Sequence, residues 1–122
     1  MDGNKILVVD DDSDITWFFR QILEGEGFSV STAQKGAEAL ELARKEKFDL
    51  AILDVVLPDI QGDKLAKELS KKNKSLKIIF VTGFTRKLEG LDSTGLNIVL
   101  VMEKPVMYEQ LKEAVKKALT EG

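Results

Sequence analysis

Two rhythms of apolar residues alternate along the chain. Ile6-Leu7-Val8-Val9 is a short, continuous, β-branched run, the pattern of a strand buried on both faces. Apolar residues then recur at Ile15, Phe18, Phe19, Ile22 and Leu23, the spacing of one helix face, with Asp12 or Ser13 as cap and Gly25 and Gly27 as stop. Phe28-Ser29-Val30-Ser31-Thr32 alternates apolar and polar residues, which predicts a strand with one wet face at a sheet edge. A second helix fits Gly36 to Lys45, with Ala37, Ala39, Leu40 and Ala43 as its inward stripe. Phe48 to Leu53 is the third strand, ending at Asp54. Beyond the Pro58 loop, Gly62-Asp63 opens a helix with Leu65, Ala66 and Leu69 inward and Lys64, Lys67, Glu68 and Lys71 outward.

The fourth strand, Lys77 to Val81, ends at Thr82-Gly83. A helix is due between Phe84 and Gly95, but Gly90, Gly95 and Asp92-Ser93-Thr94 interrupt it, so a short or mobile one is expected. Asn97 to Met102 is the fifth strand, closed by Glu103-Lys104-Pro105. The last helix runs from about Glu109 to Leu119, with Leu111, Ala114, Val115, Ala118 and Leu119 on one face and no Ser, Thr or Asp cap around Met107-Tyr108. Strands alternating with helices in this way imply an α/β fold, a doubly wound five-stranded parallel sheet with helices on both faces and right-handed crossovers. Residues 1–122 are read as one domain, since the length leaves no room for a second core.

Composition narrows the chemistry. The chain is 43% hydrophobic and 32% charged, enough for a globular core. Its net charge of −3 argues against a direct nucleic-acid surface. The chain has no cysteine and no histidine, which removes disulfides, thiolate metal sites and the commonest general base. Chemistry is left to carboxylates, hydroxyls and lysines. The apolar run after the polar N-terminus is too short for a signal peptide or a membrane span, so a cytoplasmic protein without membrane insertion is expected.

Four of the strands end in polar groups: Asp10-Asp11, Asp54, Thr82 and Lys104. A parallel sheet places all carboxyl ends on one edge, where such folds bind ligands, so these residues converge by topology alone. Carboxylates brought that close repel and either take up protons or recruit a cation. With only oxygen donors available the cation is hard, and Mg²⁺ fits. In such a cluster Asp54 is placed to act as a nucleophile forming an acyl phosphate, with Lys104 and the Thr82 hydroxyl covering phosphoryl charge.

Taken together, Ile6-Leu7-Val8-Val9-Asp10-Asp11, Asp49-Leu50-Ala51-Ile52-Leu53-Asp54 with Leu57-Pro58 and Gly62, Phe80-Val81-Thr82-Gly83 and Lys104-Pro105 resemble the response-regulator receiver domain of two-component signalling over essentially the whole chain. The resemblance implies a flavodoxin-like strand order of 2-1-3-4-5 and Asp54 as phosphoacceptor. It implies Asp11 and Asp54 as direct Mg²⁺ ligands, Asp10 as a water-mediated one, the Val56 carbonyl as a further ligand, and a cis peptide before Pro105. Thr82 and Lys104 would sense the phosphoryl group. The donor would be a phosphohistidine on a sensor histidine kinase or phosphotransfer protein, and the recipient of the signal an output domain or protein. Such a domain is not an enzyme in the turnover sense, catalysing only its own phosphorylation and dephosphorylation. The family often carries an aromatic three residues before the lysine. Here that switch position is Val101, too small for a large rotamer swing.

Two other functions compete. A Mg²⁺-dependent phosphohydrolase using an aspartyl phosphate would need a second acid and a substrate-covering cap. A phosphorylation-independent binding scaffold draws its support from Val101 and the irregular Phe84–Gly95 stretch. Among single residues, Asp12 reads as a helix cap. Trp17 reads as rim packing, with a partner anchor as the alternative. Lys71, Lys72, Lys74 and Lys77 read as solvated charge. Val56 and Phe84, each two positions after a site residue, are apolar where an attacking water would need a polar guide, so a long-lived acyl phosphate is expected.

Overall fold

The protein is described from a computed structural model covering residues 4–83 and 93–120. Its elements in chain order are β1 (Lys5–Val9), α1 (Ser13–Gly25), β2 (Ser29–Ala33), α2 (Gly36–Lys45), β3 (Leu50–Asp54), α3 (Gly62–Lys72), β4 (Lys77–Thr82), β5 (Asn97–Glu103) and α4 (Tyr108–Thr120). The strands form one parallel sheet in the order β2-β1-β3-β4-β5. The alternating strand of the sequence is the edge strand β2, and the continuous apolar runs of β1, β3 and β4 are central and buried, whereas the apolar run of β5, Ile98 to Met102, lies at the other edge and leaves Val99, Leu100 and Val101 exposed. Residues 84–92 lie outside the described residues, and with them most of the interrupted stretch and Phe84. Thr94 and Gly95 form a turn into β5 in which Gly95 has a φ of 78°.

Period-two alternation along the strands divides the core between two faces. On one, Ile6, Val8, Leu50, Ile52, Ile79 and Val81 meet Phe19, Ile22 and Leu23 of α1 and Leu111, Ala114, Val115 and Ala118 of α4. On the other, Leu7, Val9, Ala51, Leu53, Ile78 and Phe80 meet Ala39 of α2 and Leu65, Ala66 and Leu69 of α3. The pairing of β4 with β5 slips between Ile78 and Ile79, so that Val101 stands beside Phe80 on the α2–α3 side.

Helix periodicity located the faces and overstated their width. Phe18, counted among the inward residues of α1, is 41% exposed, and Ala37 of α2 is exposed as well. Asp12 caps α1, its Oδ1 accepting the Asp14 amide at 2.9 Å. The uncapped start of α4 has a substitute: Gln110 accepts the Met107 amide through Oε1 at 3.0 Å, the glutamine half of a capping box.

Glu26, just beyond α1, ties that helix to α4, with Lys116 Nζ at 2.8 Å and Lys112 Nζ at 3.5 Å. The hydrogen bond from Lys116 holds its carboxyl below the ordinary 4.5. A lowered folded-state pKa gives stability that is present above the unfolded value and is lost as pH falls through the folded one. Glu26→Gln is therefore expected to lower Tm by about 2–4 °C at neutral pH. The difference from wild type should close below the folded-state pKa of Glu26, which thermal melts across that range will check.

Candidate functional site

Strand register assembles the site. Val9 is paired with Leu53 and Asp54 with Val81, so Asp10 and Thr82, one residue further on, flank Asp54 at the carboxyl edge of the sheet. Asp10, Asp54 and Thr82 are buried, while Asp11 opens the loop into α1 and is exposed. Carboxylate oxygens of Asp10, Asp11 and Asp54 lie within 4.8 Å of one another.

Lys104 reaches into this cluster from the end of β5, its own amide donating to the Thr82 carbonyl at 2.9 Å. Its Nζ lies 2.7 Å from Asp10 Oδ2 and 2.8 Å from Asp54 Oδ2, one ammonium shared by two buried carboxylates. Backbone amides hold the other oxygens: Asp12 N–H donates to Asp10 Oδ1 and Val56 N–H to Asp54 Oδ1, both at 3.0 Å. Burial pushes the Asp10 carboxyl above its ordinary range, outweighing the hydrogen bonds from Lys104 and the Asp12 amide. Burial alone would lower Lys104, but its hydrogen bonds to Asp10 and Asp54 prevail and hold the ammonium above the ordinary 10.5.

The donor set fits a hard divalent cation. Every ligand atom within reach is oxygen, and the ammonium offsets only part of the negative charge. Asp10, Asp11 and Asp54 would supply carboxylates to such an ion, with the Val56 carbonyl on the adjoining loop.

That loop is shaped by Gly62, whose amide donates to the Val55 carbonyl at 2.8 Å. A side chain at Gly62 would run into the Asp54 carbonyl, so the turn back toward β3 requires glycine. The Val56 side chain is 38% exposed beside the site, and Val101, also half-exposed, stands one strand beyond β4. Lys104-Pro105 is a cis peptide. On the α1 flank, a groove of about 470 Å³ is lined by Ile15, Phe18, Phe19, Lys104, Pro105 and Val106, with Trp17 63% exposed on the same helix. Asp59, unremarked in the sequence pattern, accepts hydrogen bonds from the start of α2, and the available signal was the lack of a capping side chain ahead of Gly36.

The doubly wound parallel sheet gathers three carboxylates and a lysine at its carboxyl edge, where open α/β folds bind their ligands. Residues 6–116 match the family model of the response regulator receiver domain, and the chain belongs to that family, the phosphoacceptor signalling domains of two-component systems. It is 33% identical to the response regulator receiver protein CpdR of Brucella abortus, covering 94% of this chain and 96% of that one. It is 35% identical to the alkaline phosphatase synthesis transcriptional regulatory protein PhoP of Bacillus subtilis, covering 96% of this chain and 49% of that protein. The chain therefore spans nearly all of one relative and about half of the other. Among solved structures, response regulator TrrA of Thermotoga maritima in complex with Mg(2+)-BeF is similar at a TM-score of 0.82 and 36% identity, over 94% of this chain and 98% of that one.

Proposed function

We propose that Asp54 is the phosphoacceptor, that Asp10, Asp11, Asp54 and the Val56 carbonyl hold Mg²⁺, and that Thr82 and Lys104 read the phosphoryl group. The observation that carries this is the setting of Asp54: a buried carboxylate with one oxygen on the Val56 amide and the other on Lys104, facing two more aspartates. When bound, Mg²⁺ supplies positive charge against carboxylate repulsion and against the charge that builds on the phosphoryl oxygens.

The donor is the phosphohistidine of a sensor histidine kinase or of a phosphotransfer protein in a phosphorelay. An Asp54 oxygen forms the new P–O bond as the P–N bond breaks, and the imidazole leaves with its electron pair. Lys104 and the Val56 amide orient Asp54 for that attack, and the Thr82 hydroxyl lies beside it at the end of β4. The apolar groove along α1, which shares Lys104 with the site, supports a protein donor. The domain acts only on itself, and the added charge biases a surface around β4 and β5 toward an output domain or protein. We place it in the cytoplasm, in keeping with the absence among the described residues of any helix long and apolar enough to cross a membrane.

Incubation with acetyl phosphate and Mg²⁺ tests the reading: intact mass is expected to rise by one phosphoryl group, and no adduct would overturn it. Dephosphorylation tests the exposed apolar side chain at Val56. Val56→Asn offers a hydrogen bond to the attacking water and is expected to speed loss of the phosphoryl group on the order of tenfold, about 1.4 kcal/mol of barrier. An unchanged decay rate of the isolated phosphoprotein would remove Val56 from the control of its lifetime.

A further inference from the structure

The start of α2 lacks a cap of its own. Lys35 stands at the N-cap position and makes no side-chain hydrogen bond there, which leaves the first amides of the helix to find acceptors elsewhere. They find Asp59, in the loop between β3 and α3. Gly36 N–H donates to Asp59 Oδ1 at 2.8 Å and Ala37 N–H to Oδ2 at 2.9 Å. The next residue of the loop bears on the same turn, because the methyl group of Ile60 occupies the space a side chain at Gly36 would need. Both contacts join segments more than twenty residues apart in sequence.

We infer that Asp59 is a positioning residue that clamps the β3–α3 loop to the N-terminus of α2 and so holds the Val56 carbonyl in place for the cation. The inference rests on the proposed role of that carbonyl. The loop leaves β3 at Asp54 and is pinned near its start by Val56 N–H on Asp54 Oδ1 and by Gly62 N–H on the Val55 carbonyl. Beyond those two bonds, the outer part, Leu57 to Gln61, meets the body of the protein through the half-buried Leu57 and Ile60 and through the Gln61 carbonyl, which accepts the Leu65 amide at 3.0 Å. Among the described residues, Asp59 makes the side-chain hydrogen bonds that tie it to the body of the protein. The bonds are charge-assisted and short, and a carboxylate at a helix N-terminus gains from the helix dipole. The Gly36 and Ala37 amides accordingly hold the Asp59 carboxyl below its ordinary range. A serine at position 35 would cap α2 as well. Placing the acceptor on the loop instead makes helix and loop one unit.

Two measurements separate positioning from capping. In unphosphorylated Asp59→Ala, calorimetric titration with MgCl₂ is expected to show a Kd raised about tenfold, in the range typical of outer partners of metal ligands. Adding Lys35→Ser to that variant gives α2 a local cap while the loop stays unclamped, and the weakened Kd is expected to persist. Hydrogen exchange in metal-free Asp59→Ala is expected to accelerate at Val55 and Val56 as well as at Gly36 and Ala37. Recovery of wild-type Mg²⁺ affinity in the double variant, an unchanged Kd in the single one, or acceleration confined to the first turn of α2 would reduce Asp59 to a helix cap and overturn the inference. Failure of the wild-type protein to bind Mg²⁺ would instead overturn the reading of the metal site, while the exchange pattern would still decide whether the clamp exists.

Discussion

Asp54→Asn is expected to show no phosphoryl adduct after incubation with acetyl phosphate and Mg²⁺, under conditions where the unmodified protein gains one. The substitution keeps the shape of the side chain, and its remaining oxygen can still accept the Val56 amide that now bonds Asp54 Oδ1 at 3.0 Å. It removes the anionic oxygen that would attack phosphorus, and an amide nitrogen with its lone pair delocalised is no substitute. The fold should survive. Lys104 keeps its bond to Asp10 at 2.7 Å, and the repulsion between the Asp10 and Asp54 carboxylates is gone. Intact mass and a thermal melt on the same sample therefore separate loss of the acceptor from loss of structure. An adduct on Asp54→Asn, mapped to another carboxylate, would move the acceptor elsewhere.

The convergence behind this prediction was legible in the sequence because parallel topology does the work. Once Val9 and Leu53 are neighbours, Asp10 and Asp54 must be too, whatever the loops do. The central strands were legible for a related reason: cover on both faces demands unbroken apolar runs, and β1, β3 and β4 are such runs. Phe18 and Ala37 were misjudged because the period of a helix says which way a residue points and not how far the neighbouring layer extends over it. Asp59 was missed because its partners are remote in sequence, and an acid after a proline has the look of an ordinary turn. The sharing of one ammonium between two aspartates was equally out of reach. Spacing can bring Lys104 to the same edge, but only side-chain positions show that it bridges Asp10 and Asp54.

That sharing leads to the second large effect. Lys104→Met, which keeps most of the side chain's apolar length, is expected to strengthen Mg²⁺ binding and to weaken phosphorylation at the same time. Lys104 Nζ lies within 2.8 Å of both carboxylates, so it neutralises oxygens that a divalent cation would also use. Without it the metal-free protein carries two close, buried, uncompensated acids. Removing one partner of a buried ion pair costs about 3–5 kcal/mol, and the residual exposure of Lys104 reduces this to about 1–3 kcal/mol. Added Mg²⁺ should recover that loss, giving a larger rise in Tm and a lower Kd than in wild type. Acid should recover part of it too. Asp10 already has a raised folded-state pKa, so in EDTA the folded state binds the extra proton first, and stability rises as pH falls through that pKa until the unfolded value is reached. Phosphorylation by acetyl phosphate should nevertheless slow by about 10²-fold at saturating Mg²⁺, since a donor aimed at developing phosphoryl charge has been removed. Equal losses in ion affinity and in rate would point to collapse of the site, and unchanged Mg²⁺ affinity would mean that the ion and the ammonium do not compete for the same oxygens.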